Sequence, residues 1–118
     1  MTPKHEHLIR EIIYSGRLIL SRSEGRSDVD YLADVGLRAL VERKVEIIGE
    51  DLIRLRDAEP TLFRRLTGAD RLIGLRNLIA YDEEDYPRDR LWRDAVALLP
   101  AVLTDADRLL TTAGSPGP

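Results

Sequence analysis

Apolar residues recur every three or four positions along most of the chain, and this spacing is typical of amphipathic helices. Thr2 followed by Pro3 predicts the start of a first helix, because Thr caps a helix and Pro suits its first position. Its end is predicted near Ser23-Glu24-Gly25, since Gly25 can adopt the left-handed conformation that closes a helix. The stripe of this helix consists of Leu8, Ile9, Ile12, Ile13, Gly16, Ile19 and Leu20.

A second helix is predicted from Ser27 to about Ala58. Ser27 and Asp30 resemble a capping box in which Asp replaces the usual Glu or Gln. Pro60 separates this helix from a short helical turn over residues 61–66, and Gly68 interrupts the chain again. The apolar face of the second helix consists of Leu37, Leu40, Val41, Val45, Ile48, Leu52 and Leu55.

Two further helices complete the pattern, and an acidic loop joins them. The first of the two spans about Asp70 to Ala80, and the loop runs from Tyr81 to Tyr86. Pro87 begins the last helix, and Pro100 is expected to bend it. The stripe of the last helix consists of Leu91, Trp92, Ala95, Leu98, Leu99, Val102, Ala106 and Leu109.

The alternation typical of strands is absent, so the predicted fold is all-α, an antiparallel bundle of four to five helices. A chain of 118 residues forms one domain, predicted to cover residues 1–112 and to end in a disordered tail at 113–118. Cys is absent, which excludes disulfides and thiolate metal sites. No apolar run approaches the ~18 residues of a membrane span, and residues 1–7 do not lead into the apolar region that a signal peptide is expected to have. A cytoplasmic protein without membrane contact is therefore expected.

Charged residues make up a third of the chain, and the formal net charge is −3. A net negative protein gains no general affinity for nucleic acid, so any RNA contact depends on a local Arg patch. Every basic residue except Lys4 and Lys44 is Arg. The only histidines, His5 and His7, are two residues apart and fall on different helix faces. Neither a metal site nor a cofactor is therefore predicted.

The candidate chemistry lies in the segment from Ile73 to Tyr81. This apolar helix end carries Arg76 and Asn77, and Tyr81 follows five residues after the Arg. Two other landmarks are the run Ile48-Gly49-Glu50 in the second helix, and Leu91-Trp92 followed by Leu98-Leu99-Pro100 and Val102-Leu103 in the last.

Taken together, residues 8–110 resemble the HepT-like branch of the HEPN superfamily, whose motif reads Arg, four residues, His, one residue, Tyr. Arg76 and Asn77 match the motif, whereas Tyr81 occupies the His position and Glu83 the final Tyr position. The resemblance implies a HEPN bundle that dimerises around its motif helix. It also implies a toxin–antitoxin setting, in which a metal-independent ribonuclease combines residues of two subunits. Its partner would be a small nucleotidyltransferase antitoxin that attaches AMP to the motif Tyr.

Metal-independent RNA cleavage needs a proton-transfer group and a group that stabilises charge on the phosphate. Arg76 suits the second task, because its fork of donors matches phosphate oxygens. Tyr81 is a poor proton-transfer group at neutral pH, since a phenol titrates near ~10. Asn77 completes the candidate catalytic set. The candidate binding or dimer-interface residues are Glu50, Glu83 and Tyr86.

Each candidate also has a purely structural alternative. Arg76 can form a salt bridge, for example with Glu50, and Asn77 can close a helix turn or contact a second subunit. Tyr81 can be an interface aromatic with its hydroxyl in solvent. Trp92 is expected in the core.

The acidic residues 82–85 are expected to form a solvated loop that also caps the last helix, where negative charge is favourable. The alternative is a loop that binds a divalent cation. Arg88, Arg90 and Arg93 are expected to face this loop and pair with it, or else to form a docking patch for RNA or a partner.

Two functions remain open from the sequence. One is a HepT-like toxin subunit whose ribonuclease activity is reduced because the motif His is absent. The other is a catalytically inactive HEPN module that binds a nucleotidyltransferase, a nucleotide or RNA. The missing His favours the second for chemistry, whereas the resemblance favours the first for biological role. We adopt the first, with a homodimer or dimer-based oligomer, a nucleotidyltransferase antitoxin and RNA as expected partners.

Overall fold

The computed structural model of the protein describes residues 1–114 and is helical throughout that range, without a strand. The all-α prediction is therefore confirmed for this part of the chain, and residues 115–118 of the predicted tail lie outside it. The helices are α1 (Pro3–Ser23), α2 (Asp28–Ala33), α3 (Val35–Ala58), α4 (Pro60–Phe63), α5 (Ala69–Ala80) and α6 (Arg88–Gly114).

Two predicted helix starts, at Thr2 and Ser27, are confirmed by hydrogen bonds of their capping side chains. The Thr2 hydroxyl accepts from the backbone N–H of His5, and Pro3 stands at the first position of α1. At the start of α2, Ser27 and Asp30 form both bonds of a capping box. These bonds satisfy amide donors that the first turn of a helix leaves without a carbonyl partner.

The prediction of one continuous helix from Ser27 to Ala58 is wrong, because the chain breaks at Asp34. Asp34 has extended backbone angles, φ −102° and ψ 96°, and its Oδ1 accepts from the N–H of Leu37 at 3.0 Å. Asp side chains compete with the helical ladder in this way and prefer the cap. The break ends α2 at Ala33 and starts α3 at Val35, and Gly36 lies in the first turn of α3.

The helices α1 and α3 run antiparallel, as contacts between their ends show. His5, near the start of α1, lies with its Nδ1 3.8 Å from a carboxylate oxygen of Glu59, which follows α3. Further along α1, the ring of Tyr14 faces the ammonium of Lys44, from the first half of α3, at 5.5 Å.

Ser23 at the end of α1 bonds Trp92 near the start of α6, whereas Arg17 bonds Asp107 further along α6, so these two helices are antiparallel as well. The N–H of Thr67, just before α5, donates to Asp105 in the second half of α6, so α5 and α6 also run in opposite directions. The four long helices therefore form an antiparallel bundle.

Trp92 lies in the core, as predicted, at the junction of α1, α2 and α6. Its ring stacks on that of Tyr31 with 4.8 Å between centroids, and its Nε1–H donates to the Ser23 hydroxyl at 2.9 Å. Both rings are buried, and the indole N–H has the partner that burial demands. Short α2 is thereby held against the start of α6.

In residues 1–114, no helix combines the length and the apolar character that crossing a bilayer requires.

Candidate functional site

Arg76 on α5 lies directly across Gly49 on α3. A Cβ added at Gly49 would lie 2.5 Å from Cγ of Arg76 and would meet its Cβ closer still. Only a residue without a side chain permits this approach. Two of the landmarks found in the sequence, the Ile-Gly-Glu run and the Arg-Asn pair, thus meet in the fold. The contact holds the stem of Arg76 against α3.

The guanidinium of Arg76 is held by its neighbour rather than by a carboxylate. One Nη1–H donates to Oδ1 of Asn77 at 3.0 Å. Nε is buried and has no hydrogen-bond partner. Within residues 1–114, Arg76 forms no ion pair, so the pair with Glu50 is not made. A half-buried cation with an unsatisfied donor is electrostatically suited to an anion.

Tyr81 ends the same helix, one and a half turns beyond Arg76. Its backbone N–H donates to the carbonyl oxygen of Asn77, and the N–H of Asp82 donates to that of Ile79, which closes α5. Its side chain is 72% exposed, the second most exposed large apolar or aromatic side chain after Val29 at 74%. The phenol of Tyr81 is therefore open to solvent and to partners, whereas Arg76 and Asn77 are half-buried.

The acidic residues 82–85 of the loop between α5 and α6 are all exposed. The predicted pairing of Arg88, Arg90 and Arg93 with this loop is wrong, because all three find carboxylates on helices. Carboxylates on helices are favoured because their side chains project from rigid elements next to these arginines. Pairing with them therefore loses less conformational entropy than pairing with a loop would. The pairs are Arg88 with Glu42, Arg90 with Asp94, and Arg93 with Asp28 and Asp89.

Tyr86, Glu83 and Glu50 occupy different environments. Tyr86 donates its hydroxyl to Oδ2 of Asp94 and lies under the guanidinium of Arg90, 5.1 Å from the ring centroid. Burial, followed by the Asp94 carboxylate, raises the pKa of Tyr86. Glu83 is exposed, and Glu50 is half-buried on α3 beside Gly49. The structure thus gives Tyr86 a structural bond that anchors the start of α6.

Asp51 is a buried carboxylate that the sequence reasoning missed. It is 1% exposed, and its Oδ2 has no hydrogen-bond donor. Burial, followed by the neighbouring Glu11 on α1, raises the pKa of Asp51 to about 8. A signal was present, since Asp51 follows Ile48 by three positions and precedes Leu55 by four, on the apolar stripe of its helix.

In the described part of the chain, no group of three or more His, Asp or Glu side chains is arranged to hold a metal ion. Arg76, Asn77 and Gly49, which the packing of α5 against α3 brings together, form the candidate site, with Tyr81 at its outer end. The chemistry available there is anion binding by Arg76 and hydrogen bonding by a phenol.

Comparison of the chain with protein-family models, with curated proteins and with solved structures finds no match.

Proposed function

We propose that this chain is a HepT-like HEPN component of a toxin–antitoxin system, with a metal-independent ribonuclease scaffold whose activity is reduced. The observation that carries the proposal is the packing of Arg76 across Gly49. The resemblance depends on a motif in α5 and a landmark in α3. The contact between them explains why position 49 is a Gly, because a side chain there would displace that of Arg76.

The charge on Arg76 supports a role at a phosphate. Its guanidinium has no carboxylate partner within residues 1–114, and its Nε–H is buried and unsatisfied. The part of the half-buried guanidinium that stays accessible would take the phosphate oxygens, and charge-assisted bonds of this kind are about twice as strong as neutral ones. Asn77 fixes the orientation of the guanidinium from the side.

Reduced activity follows from Tyr81 and from the loop beside it. General acid–base groups contribute ~10² to 10⁴ in rate, and Tyr81 stands where the motif has its His. The four carboxylates at 82–85 are exposed directly after Tyr81. They repel phosphate over a Debye length of ~8 to 10 Å at ordinary salt.

The partner proposed for this subunit is a small nucleotidyltransferase encoded next to it. Tyr81 is the exposed tyrosine of the motif region, so a partner enzyme can reach its side chain. We therefore propose its hydroxyl as the acceptor of AMP. Tyr31 is fully buried and Tyr86 is bonded to Asp94, which leaves exposed Tyr14 as a natural control.

The test is co-expression with the enzyme encoded by the adjacent reading frame, followed by affinity purification and intact mass measurement. The proposal expects the two proteins to copurify and the chain to gain the mass of one or more adenylates. Tyr81→Phe should abolish one addition, whereas Tyr14→Phe should not. An adjacent frame that encodes no nucleotidyltransferase, or an enzyme that neither binds nor modifies the chain, would rule the proposal out.

The alternative function is a catalytically inactive HEPN module that binds a partner. The observation that favours it is that both histidines of the chain, His5 and His7, lie on α1, whereas Arg76 lies on α5. RNA cleavage in EDTA separates the two functions, because an inactive module gives none at any enzyme concentration.

A further inference from the structure

A groove lies between the end of α5, the acidic loop and the start of α6. Its volume is about 470 Å³. Leu78 and Ile79 of α5 and Leu91 of α6 form its apolar floor. Leu78 and Ile79 are only half-buried, so the groove leaves part of their surface exposed to water. An occupant with an apolar portion would therefore gain free energy by covering it.

The rim of the groove is strongly acidic. Asp82, Glu83 and Glu84 line it from the loop, and Glu42 lines it from α3. The one cation in the lining, Arg88, is already paired with Glu42. In the part of the chain that the structure describes, the three loop carboxylates make no ion pair.

We propose that this groove docks a basic amphipathic segment of a partner protein. An arginine stem or a neighbouring aliphatic side chain would lie on the floor, and the guanidinium would reach the loop carboxylates. Arg has this composition, with methylenes that pack on apolar surface and a fork of donors that matches carboxylates. The groove alone carries the proposal, which holds whether or not the chain is a ribonuclease subunit.

Other ligand classes fit the same surface less well. Phosphate and nucleic acid would face the loop carboxylates without a free cation nearby. A bare divalent cation would use the carboxylates and leave the apolar floor uncovered. The loop is also restrained before any partner binds, because the backbone N–H of Glu83 donates to the carbonyl oxygen of Leu78 at 3.0 Å. Such restraint lowers the ordering cost of binding.

The first experiment compares three labelled helical peptides by fluorescence anisotropy at physiological ionic strength. One carries Arg and Leu on one face, the second replaces Leu by Ser, and the third replaces Arg by Glu. The proposal expects the Arg–Leu peptide to bind at least ~10-fold more tightly than either of the others. Equal binding of the Arg–Leu and Arg–Ser peptides would show a merely acidic surface and overturn it. Undetectable binding of the Arg–Leu peptide would overturn it as well.

The second experiment places the peptide in the groove. The triple change D82N, E83Q and E84Q should weaken Arg–Leu peptide binding at least ~10-fold. A matched triple that removes the same charge from exposed residues elsewhere should leave binding within about twofold. The matched residues are Glu24, Asp57 and Asp70, changed to Gln, Asn and Asn. Circular dichroism of both triples checks that the helices persist.

The methyl resonances of Leu78, Ile79 and Leu91 give a direct readout of the floor. They should shift when the Arg–Leu peptide is added, and these shifts should vanish in the groove triple. Shifts confined to other methyl groups would overturn the proposal. Displacement of the peptide by stoichiometric Ca²⁺, or conversion of a dimer to a monomer by the groove triple, would also overturn it. The occupant would then be a cation or a second copy of the chain.

Discussion

Replacing Asp51 by Asn should remove a pH dependence of stability that the buried carboxylate causes. In the folded protein, burial and then Glu11 raise the pKa of Asp51 from 3.8 to about 8. Glu50 adds to this, and Arg54, 3.5 Å from Oδ1, opposes it. In the unfolded chain the same carboxyl titrates near ~4.

Between these two pKa values, the folded state keeps a proton that the unfolded state releases. The free energy of unfolding therefore falls as pH rises. The stability contributed by the protonated carboxyl is complete below pH ~4 and is lost as pH approaches 8. One proton is worth about 1.4 kcal/mol per pH unit, so the loss from about pH 5 to about pH 7 is at most about 3 kcal/mol. Asn has the same size and no charge, so it should lose none of this.

The assay is urea unfolding of wild type and Asp51→Asn at several pH values, followed by the fluorescence of Trp92, the only Trp. As pH rises from about 5 to about 7, the free energy of unfolding of wild type should fall relative to that of the Asn variant. Asp57→Asn, at a position whose side chain is 70% exposed on the same helix, should run parallel to wild type. Glu11→Gln should move the end of the pH-dependent range to lower pH. Parallel curves for wild type and Asp51→Asn would refute the reasoning.

Three further predictions concern the fold and the assembly. Gly49→Ala should displace Arg76 and destabilise the protein by about 1–3 kcal/mol. Gly74→Ala, with nothing within 4 Å of the added Cβ, should be neutral or stabilise α5 by up to about 1 kcal/mol. Chemical denaturation measures both changes, and equal effects would contradict the close contact between Gly49 and Arg76. Ser27→Ala removes half of the capping box with Asp30 and should cost about 1 kcal/mol in the same measurement, and no loss would show the box to be dispensable. Light scattering at micromolar concentration should give at least twice the chain mass of 13.4 kDa, and a clean monomer would contradict the expected dimer.

Local signals in the sequence were sufficient for most helix bounds. The caps at Thr2 and Ser27 act within a few residues, and the structure forms both. The predicted helix ran through Asp34, whereas the chain breaks there and the side chains of Leu32 and Val35 on either side are exposed. Here the bond from the Leu37 N–H to Asp34 outweighs the helical pattern.

Contacts between distant segments were beyond the sequence. A Gly in mid-helix, such as Gly49, permits another element to come close, but only the fold identifies Arg76 as that neighbour. Arg88 was expected to pair with the nearest acidic run, whereas its partner is Glu42 on α3. Asp51 carried a signal in its position on the apolar stripe, yet its burial depends on how α1 packs over it. Such long-range choices depend on packing geometry that helical periodicity does not contain.

The measurement that tests the central claim most directly is cleavage of a fluorescent RNA in EDTA by wild type, Arg76→Ala, Tyr81→His, and Tyr81→His combined with Arg76→Ala. If the chain is a HepT-like ribonuclease scaffold that lacks its proton-transfer group, Tyr81→His should raise cleavage by ~10²-fold or more. Neutralising Asp82 and Glu83 in that background should raise it further, because the loop then repels RNA less. Arg76→Ala should abolish the gain. No cleavage by any of these variants would contradict the claim, and efficient wild-type cleavage that depends on Arg76 would show that Tyr81 does not impair catalysis.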